Sequence, residues 1–188
     1  MACKSSLYCD MVTDNKAWIV IQRRISNETS FDRVWEDYKV GFGDLKGNFW
    51  LGLDKMHKLT NSRQTILRFD LKHSDGSRGY AEYDNFKIAD ESQNYMLSLG
   101  VYNGNIGDSM RLNEGHLFTT KDRDNDVLIQ GNCAVHFRGG WWHNKCFGAN
   151  LNNLHSKDET DPKYMSWLKW KESFGGITFS EMKIRYAD

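Results

Sequence analysis

The placement of four cysteines constrains the fold more than any other feature of this sequence. They form two pairs that are close in sequence, Cys3 with Cys9 and Cys133 with Cys146. An even count in local pairs indicates two disulfides, which form in oxidising compartments. Four reduced thiols or half of a zinc site are the alternatives. Zinc is disfavoured because neither pair has the gap of about two to four residues found in common structural sites.

Length and charge narrow the class of protein. The chain has 188 residues, which suits one domain, 1–188, with a sizeable core. Lys plus Arg and Asp plus Glu each number 25, so the net charge is zero, which argues against nucleic acid as a partner. No stretch has the roughly 18 apolar residues of a membrane-spanning helix, so membrane insertion is not expected. The start lacks the apolar core of a secretory signal, which leaves a cytosolic chain or a domain of a longer secreted protein.

Periodicity in the first third of the chain predicts strands and helices. The β-branched apolar run Trp18–Gln22 predicts a buried strand. Apolar residues at helical spacing predict a helix over Phe31–Tyr38, with Ser30 as its N-cap. A second short helix is expected around Leu53–Leu59.

Strand-like segments follow at Thr65–Leu71, Tyr80–Ile88 and Tyr95–Val101, and Asp75-Gly76 predicts a hairpin turn between the first two. After about residue 103 periodicity fades, and Gly, Asn, Asp and Trp dominate. Irregular stretches of this length are usually functional or braced by metal. The pattern predicts an α+β fold, with a central antiparallel sheet, short helices and a loop-rich C-terminal third that carries the function.

An acidic hexapeptide is the sharpest chemical feature of that last third. Lys121–Asp126 reads Lys-Asp-Arg-Asp-Asn-Asp, with three carboxylates at alternating positions. Hard oxygen ligands at this spacing suit Ca²⁺, which takes six to eight oxygens. An EF-hand is excluded, since Val127 and Cys133 stand where that loop needs Gly and Glu. The alternative is a solvated acidic turn that pairs with Arg123 or Lys121.

Sequence motifs of catalysis are missing. The chain contains no GxSxG, HExxH, P-loop or GxGxxG motif. His136 and His143 lie near Cys146, but a sulfur held in a disulfide cannot act as a nucleophile. We therefore expect no enzymatic activity. Asn27-Glu-Thr is an N-glycosylation sequon, which agrees with an extracellular chain.

Motifs along nearly the whole chain resemble the fibrinogen C-terminal (fibrinogen-like) domain family, whose lectin-like members include ficolins and tachylectins. They occur in the family's order: Tyr8-Cys-Asp-Met11, Trp18-Ile-Val-Ile-Gln-Arg-Arg24, Trp35-Glu-Asp-Tyr38, Gly47-Asn-Phe-Trp-Leu-Gly-Leu-Asp54, Phe118-Thr-Thr-Lys-Asp122, Gly131-Asn-Cys-Ala134, Gly140-Trp-Trp142 and Phe179-Ser-Glu-Met-Lys-Ile-Arg185. The resemblance implies an extracellular domain with a disulfide region, a central sheet and a calcium-braced, ligand-binding part.

The resemblance implies a calcium site built from the acidic hexapeptide. In the family the second and third Asp bind calcium through their side chains, which here are Asp124 and Asp126. Backbone carbonyls complete the site, but the stretch before Cys133 is one residue longer than usual. Counting from Asp126 gives the carbonyls of Leu128 and Gln130; counting back from Cys133 gives those of Ile129 and Gly131.

The resemblance also implies an acetyl-binding pocket beside the calcium site. Its residues would be Phe137, Lys145, Cys146, Phe147, Tyr164 and Trp167, with a cis peptide at Lys145–Cys146 and the backbone around Cys146 donating hydrogen bonds to the ligand. Three departures make this pocket more apolar than its relatives. Phe147 replaces a usual His, Phe137 replaces a usual Tyr, and Tyr164 is only the nearest substitute for another Tyr.

The function that the resemblance implies is a secreted recognition module. A lectin-like or pattern-recognition domain of innate immunity would bind a carbohydrate or an acetylated surface ligand. The alternative is a protein-binding module of a matrix or growth-factor-type protein, as in tenascins and angiopoietins. Relatives multimerise through N-terminal regions, so an oligomer formed outside this chain is expected. Only five residues separate Cys3 from Cys9, far fewer than in the family, so the N-terminal part looks shortened.

Overall fold

An antiparallel sheet of eight strands organises the molecule. The computed structural model describes residues 7–156 and 161–187. The strands of the sheet are β1 Tyr8–Asp10, β2 Trp18–Arg24, β3 Phe42–Gly43, β4 Phe49–Trp50, β5 Thr65–His73, β6 Arg78–Tyr83, β9 Tyr102–Gly104 and β12 Ile177–Tyr186. Across the sheet seven of them lie in the order β3, β4, β2, β12, β5, β6, β9, and the eighth, β1, pairs with β2. Two small ladders, β7 Lys87–Ile88 with β8 Leu97–Ser98 and β10 Ala149–Asn150 with β11 Ser166–Trp167, lie outside this sheet.

The last strand occupies the centre of the sheet. β12 pairs with β2 on one side and with β5 on the other, both antiparallel. Its central residues are buried, including Glu181 and Lys183. The apolar run Trp18–Gln22 predicted β2, but no strand was expected over Ile177–Tyr186, because charged residues interrupt its apolar pattern. β2 is confirmed and extends to Arg24.

The predicted hairpin is confirmed, and two of the predicted strands are corrected. β5 and β6 pair antiparallel around Gly76, which has a φ of 87° that glycine adopts without strain. The predicted strand Tyr80–Ile88 is two strands, since Asn85 has a φ of 50° and breaks the extended chain. The prediction for Tyr95–Val101 is wrong except at Leu97–Ser98, because Tyr95 also has a positive φ, of 51°.

The helices are short, and the first two pack against each other. α1 runs over Trp35–Val40 rather than from Phe31, and its N-cap is Val34, so the predicted cap at Ser30 is wrong. α2, Leu53–Ser62, confirms the second helix and continues past Leu59. Among the described residues no helix is long and apolar enough to cross a membrane.

Aromatic packing joins the loop-rich third to the sheet. Trp141 and Trp142 are fully buried and contact Trp50, with ring centroids 6.5 and 6.1 Å apart. The indole N–H of Trp142 donates to the carbonyl of Tyr95 at 2.8 Å. Between β9 and β12 the described elements are short: the ladder β10–β11, a 3-10 turn and α3, Cys133–Phe137. The predicted α+β fold with a loop-rich C-terminal part is therefore confirmed.

Candidate functional site

The basic residues of the acidic hexapeptide pair with carboxylates elsewhere. The Lys121 Nζ lies 3.2 Å from an Asp32 carboxylate oxygen. The Arg123 guanidinium lies 4.0 Å from the ring centre of Trp35 and 3.6 Å from Glu91. Neither cation therefore neutralises the acidic residues beside it, contrary to the alternative of an internally paired acidic turn.

Asp122 has a structural role. Its Oδ1 accepts hydrogen bonds from the backbone N–H of Trp35 at 2.9 Å and from the Thr120 hydroxyl at 2.8 Å. Trp35 is the first residue of α1, whose N-terminus attracts negative charge. This long-range contact explains why α1 begins at Trp35 and not four residues earlier.

Asp124 and Asp126 form no ion pair within the described residues, and neither does Asp122. The N–H of Asp126 donates to Asp124 Oδ1 at 3.3 Å, which places the two residues side by side. Asp126 accepts from Leu128 N at Oδ1 and from Cys133 N at Oδ2, each at 2.8 Å. Two adjacent, uncompensated carboxylates on a fixed loop form a strongly negative site.

The loop that follows supplies further oxygen atoms. The carbonyls of Leu128, Ile129, Gln130 and Gly131 accept no hydrogen bond from the described part of the chain. Two carboxylates and several free carbonyls form an all-oxygen donor set, which fits Ca²⁺. Both countings of the carbonyl ligands agree with this arrangement. Within 7–156 and 161–187 no three His, Cys, Asp or Glu side chains cluster, so a cation at this loop would take most of its ligands from backbone carbonyls and water.

A disulfide and a helix cap hold this loop in place. Cys133 and Cys146 are bridged, as predicted, with their Cα atoms 5.5 Å apart. Asn132 caps α3 by accepting from Val135 N at 3.1 Å, and its Nδ2 donates to the carbonyl of Thr120 at 3.0 Å. The peptide Lys145–Cys146 is cis, which confirms the expectation drawn from the family resemblance.

Aromatic rings cluster at the predicted acetyl pocket. Phe137 and Phe147 pack edge to face, with centroids 4.9 Å apart. Phe174, which the sequence analysis did not select, lies 6.2 Å from Phe147 and completes a half-buried cluster. The sequence signal for Phe174 is the Gly-Gly pair that follows it, because adjacent glycines mark a turn. Both glycines do adopt positive φ. These three residues are called the Phe cluster below.

His143 lies beneath the Phe cluster, 6.1 Å from Phe147 between ring centroids. It is fully buried, and its Nε2 donates to the carbonyl of Gly139 at 3.1 Å, which leaves Nδ1 unprotonated. Burial lowers the pKa of His143 to about 4, so the ring is neutral at pH 7. Its neutrality keeps the floor of the site uncharged.

Several predicted ligand residues lie elsewhere. Trp167 is a correction: it is 1% exposed, packs on Phe69, and its indole N–H donates to the carbonyl of Gly107, so it is part of the core. Tyr164 is partly exposed and lines a separate cleft described below. Lys145 is exposed, and so is Asn27, where glycosylation stays a prediction. Cys3 lies outside the described residues, so its pairing with Cys9 also stays a prediction.

Comparison with known proteins places this arrangement in a family. Residues 2–187 match the family described as fibrinogen beta and gamma chains, C-terminal globular domain. The chain belongs to this family, which confirms the resemblance read from the motifs. The helices, sheet and disulfide-braced loop are therefore those of a fibrinogen-like domain.

Relatives of the chain differ in their overall length. Human tenascin-R is 43% identical over 183 residues, which are 97% of this chain and 13% of tenascin-R. Ryncolin-4 of Cerberus rynchops is 44% identical over 182 residues, which are 95% of this chain and 52% of ryncolin-4. The chain thus spans about half or less of these relatives.

Two solved structures show the same fold. The fibrinogen-like globe domain of human ANGPTL2 superposes with a TM-score of 0.92 at 38% identity, covering 97% of this chain and 86% of that one. A lamprey fibrin D-dimer, complexed with the peptide Gly-His-Arg-Pro-amide, has a TM-score of 0.89 at 28% identity and covers 97% of this chain and 66% of that one.

Proposed function

We propose that the chain is an extracellular, non-enzymatic recognition module that binds Ca²⁺ through the side chains of Asp124 and Asp126. The backbone carbonyls of Leu128 and Gln130 would complete the ligand set. The observation that carries this proposal is the absence of a cationic partner for either carboxylate among the described residues. The bound cation would offset the repulsion between the two carboxylates. It would also hold the loop of residues 126–133, called the calcium loop below, in one conformation.

Calorimetric titration with Ca²⁺ tests this proposal on three single variants. Asp124→Asn and Asp126→Asn each remove one negative charge, and we expect each to weaken calcium binding at least tenfold. Asp122→Asn is the matched control, because Asn keeps the Oδ1 acceptor that Trp35 and Thr120 use. Calcium affinity that is unchanged in the first two variants, or lost equally in the third, contradicts the assignment.

For the ligand we propose a carbohydrate or an acetylated surface group, bound beside the calcium loop. Two features support a small group at this place. The backbone N–H of Phe147 donates no hydrogen bond to another described residue, and the Phe cluster supplies an apolar wall beside it. An acetyl group needs one donor for its carbonyl and an apolar surface for its methyl.

A protein partner is the second candidate, and a separate observation favours it. Val127 and Ile129 on the calcium loop are 44% and 92% exposed. The N–H of Val127 donates to the carbonyl of Asn144 at 3.4 Å, which sets this loop against the segment that leads to the Phe cluster. Exposed apolar side chains beside a half-buried aromatic cluster suit a protein surface better than a sugar.

Binding with and without calcium distinguishes the two candidates. Retention on acetylated beads or a glycan array that EDTA abolishes supports the carbohydrate or acetyl ligand. The protein partner is supported if Ile129→Ser weakens the retention of extracellular-matrix proteins and leaves binding to the glycan array unchanged. A matched control is Val101→Ser, which changes an apolar side chain that is 73% exposed outside this region.

Recognition of repeated surface ligands by such a module gains strength from multivalency. We therefore propose that the protein acts as an oligomer assembled through regions outside this chain. The extracellular setting is supported by the disulfide Cys133–Cys146, which is stable under oxidising conditions.

A further inference from the structure

Arg24 is a buried cation without a carboxylate partner among the described residues. It is 2% exposed, and its Nη1 donates to the carbonyls of Leu151 and Asn153, at 3.1 and 2.9 Å. Its guanidinium carbon lies 4.0 Å from the ring centre of Phe31. Its Nε is buried and has no hydrogen-bond partner. Buried charges are normally paired, so this uncompensated guanidinium is unusual.

The charge of Arg24 persists at neutral pH. Burial lowers the pKa of Arg24 only to about 10, so the side chain stays protonated. An anion that reached this guanidinium would be stabilised strongly, because the surroundings are poorly solvated.

Arg24 lines a cleft of about 280 Å³ that opens beside it, here called the Arg24 cleft. A second guanidinium, that of Arg138, lines the same cleft; it is exposed and makes no ion pair within the described chain. None of the described lining residues is Asp or Glu. His155 also lines the cleft, and burial lowers its pKa, so it is neutral at pH 7 and contributes no charge. The described lining therefore carries two positive charges and no negative one.

The remaining lining groups suit sugar hydroxyls. Side chains with an amide or hydroxyl surround the two arginines: Asn27, Thr29, Ser30, Asn152, Asn153 and Tyr164. The carbonyl oxygen of the Asn153 side chain is buried and accepts no hydrogen bond. A volume of 280 Å³ lies at the small end of ligand sites, which suits a single ring.

We propose that the Arg24 cleft binds one acidic sugar unit, with its carboxylate or sulfate at Arg24 and Arg138 and its hydroxyls on the surrounding amides and hydroxyl groups. This site is distinct from the calcium loop and the Phe cluster, because none of their residues lines it. It needs no calcium. Binding through Arg24 and binding through the calcium loop are therefore separable by EDTA.

Calorimetry or ligand-detected NMR in EDTA tests the proposal with four probes. They are N-acetylneuraminic acid and glucuronic acid as carboxylates, N-acetylglucosamine 6-sulfate as a sulfate, and neutral N-acetylglucosamine. Every protein carries Asn27→Gln, so that no N-glycan covers the rim of the cleft. We expect one acidic class to bind at least tenfold more tightly than the neutral sugar, and the better class identifies the anion.

Variants locate the binding. Arg138→Gln changes an exposed side chain and should weaken binding of the acidic sugar at least fivefold. Lys169→Gln, which removes an exposed cation that does not line the cleft, should leave it unchanged. Arg24→Lys keeps the buried charge but loses the planar fork, and we expect a comparable loss with the fold intact by circular dichroism.

Three results would overturn the proposal. Equal affinity for the neutral and acidic sugars would show that the cleft does not recognise the anionic group. Binding that is as tight in Arg138→Gln and Arg24→Lys as in Lys169→Gln places the site outside the cleft. An aspartate-rich peptide that binds more tightly than every sugar assigns the cleft to acidic protein segments instead.

Discussion

At the scale of single residues, Asp126 and His143 show how the site depends on protonation. Asp126 is positioned by two backbone N–H groups, and its neighbour Asp124 has no counter-charge within the described chain. His143 supports the same region from below as a neutral, buried ring. A positive charge at His143 would have to be accommodated without solvent, so the fold depends on pH through this residue.

Acidification should destabilise the protein through His143. Its pKa falls from 6.5 in the unfolded chain to about 4 in the folded one, so between these values the unfolded state binds more protons. The contribution to stability is full above pH 6.5 and is lost as the pH falls towards 4, up to about 3 kcal/mol. Urea unfolding at pH 7 and pH 4.5, in EDTA, measures it.

His143→Gln should make the loss of stability between pH 7 and pH 4.5 smaller than in the wild type. His136→Gln, at an exposed position, is the control and should keep the wild-type dependence. Identical pH dependence in wild type and His143→Gln would show that the buried ring does not titrate as argued.

Residue patterns located the acidic hexapeptide better than its surroundings. Spacing singled out Asp122, Asp124 and Asp126, because carboxylates at alternating positions in one loop remain close whatever the fold; the choice of Asp124 and Asp126 as calcium ligands came from the family resemblance and stays a prediction. Trp167 was misassigned, because the sequence does not tell whether a tryptophan faces the core or a pocket. Arg24 was not selected at all, since its isolation from carboxylates is a property of distant segments that meet only in the folded chain.

At the scale of elements, boundaries depend on contacts that local sequence does not contain. The helical pattern of Phe31–Tyr38 suggested a start four residues too early, and Asp122, 87 residues away, accepts the N–H of Trp35 at the true start. β12 was overlooked because its buried Lys183 and Glu181 look like surface residues in the sequence. By contrast, the β5–β6 hairpin was predictable, since alternation and Asp75-Gly76 are both local.

Removing the disulfide should loosen the element that carries the calcium loop. Cys133 and Cys146 are 13 residues apart, and closing a loop of this length contributes about 3 kcal/mol to stability in the chain-entropy model. The double variant Cys133→Ala, Cys146→Ala should lose about this much in urea unfolding and bind calcium more weakly, because Cys133 N helps to position Asp126.

A matched pair of measurements separates the two consequences of removing the disulfide. Ala134→Gly in the same helix lowers stability without touching the bridge, by roughly 1 kcal/mol. If calcium affinity falls equally in this control, the effect is one of general stability. Unchanged unfolding in the double variant would contradict the stabilising role of the bridge.

At the scale of the whole molecule, a buried ion network joins the first strand to the last. Lys183 has a side chain only 2% exposed, and its Nζ lies 2.5 Å from an Asp10 oxygen and also contacts Asp70 and Glu181. The charge of Lys183 holds the pKa of Asp10 well below its usual range, in opposition to burial, which would raise it. Lys183 therefore links β1, β5 and β12, while Arg68 also pairs with Asp70 and Arg23 with Glu181.

Lys183→Met should destabilise the protein by about 3–5 kcal/mol, since it leaves Asp10, Asp70 and Glu181 without their shared partner in the interior. Guanidinium unfolding at pH 7 measures the loss. Lys169→Met is the control, because Lys169 is exposed and has no ion pair among the described residues, and its stability should stay within about 0.5 kcal/mol. A loss below about 1 kcal/mol for Lys183→Met would mean that the network is not coupled to folding.

The pairing of β1 and β12 with β2 also decides how the domain responds to tension. Tyr8 and Lys183 both lie opposite Val20, on the two sides of β2, so β1 and β12 run in the same direction about 10 Å apart. When the chain is pulled from its two ends, β1 and β12 are pulled along β2 in opposite directions. The hydrogen bonds that join each of them to β2 are then loaded together and not one by one. A domain tethered in flowing fluid would thus resist force through the hydrogen bonds that β1 and β12 make with β2, and the ion pair between Asp10 and Lys183 would reinforce them.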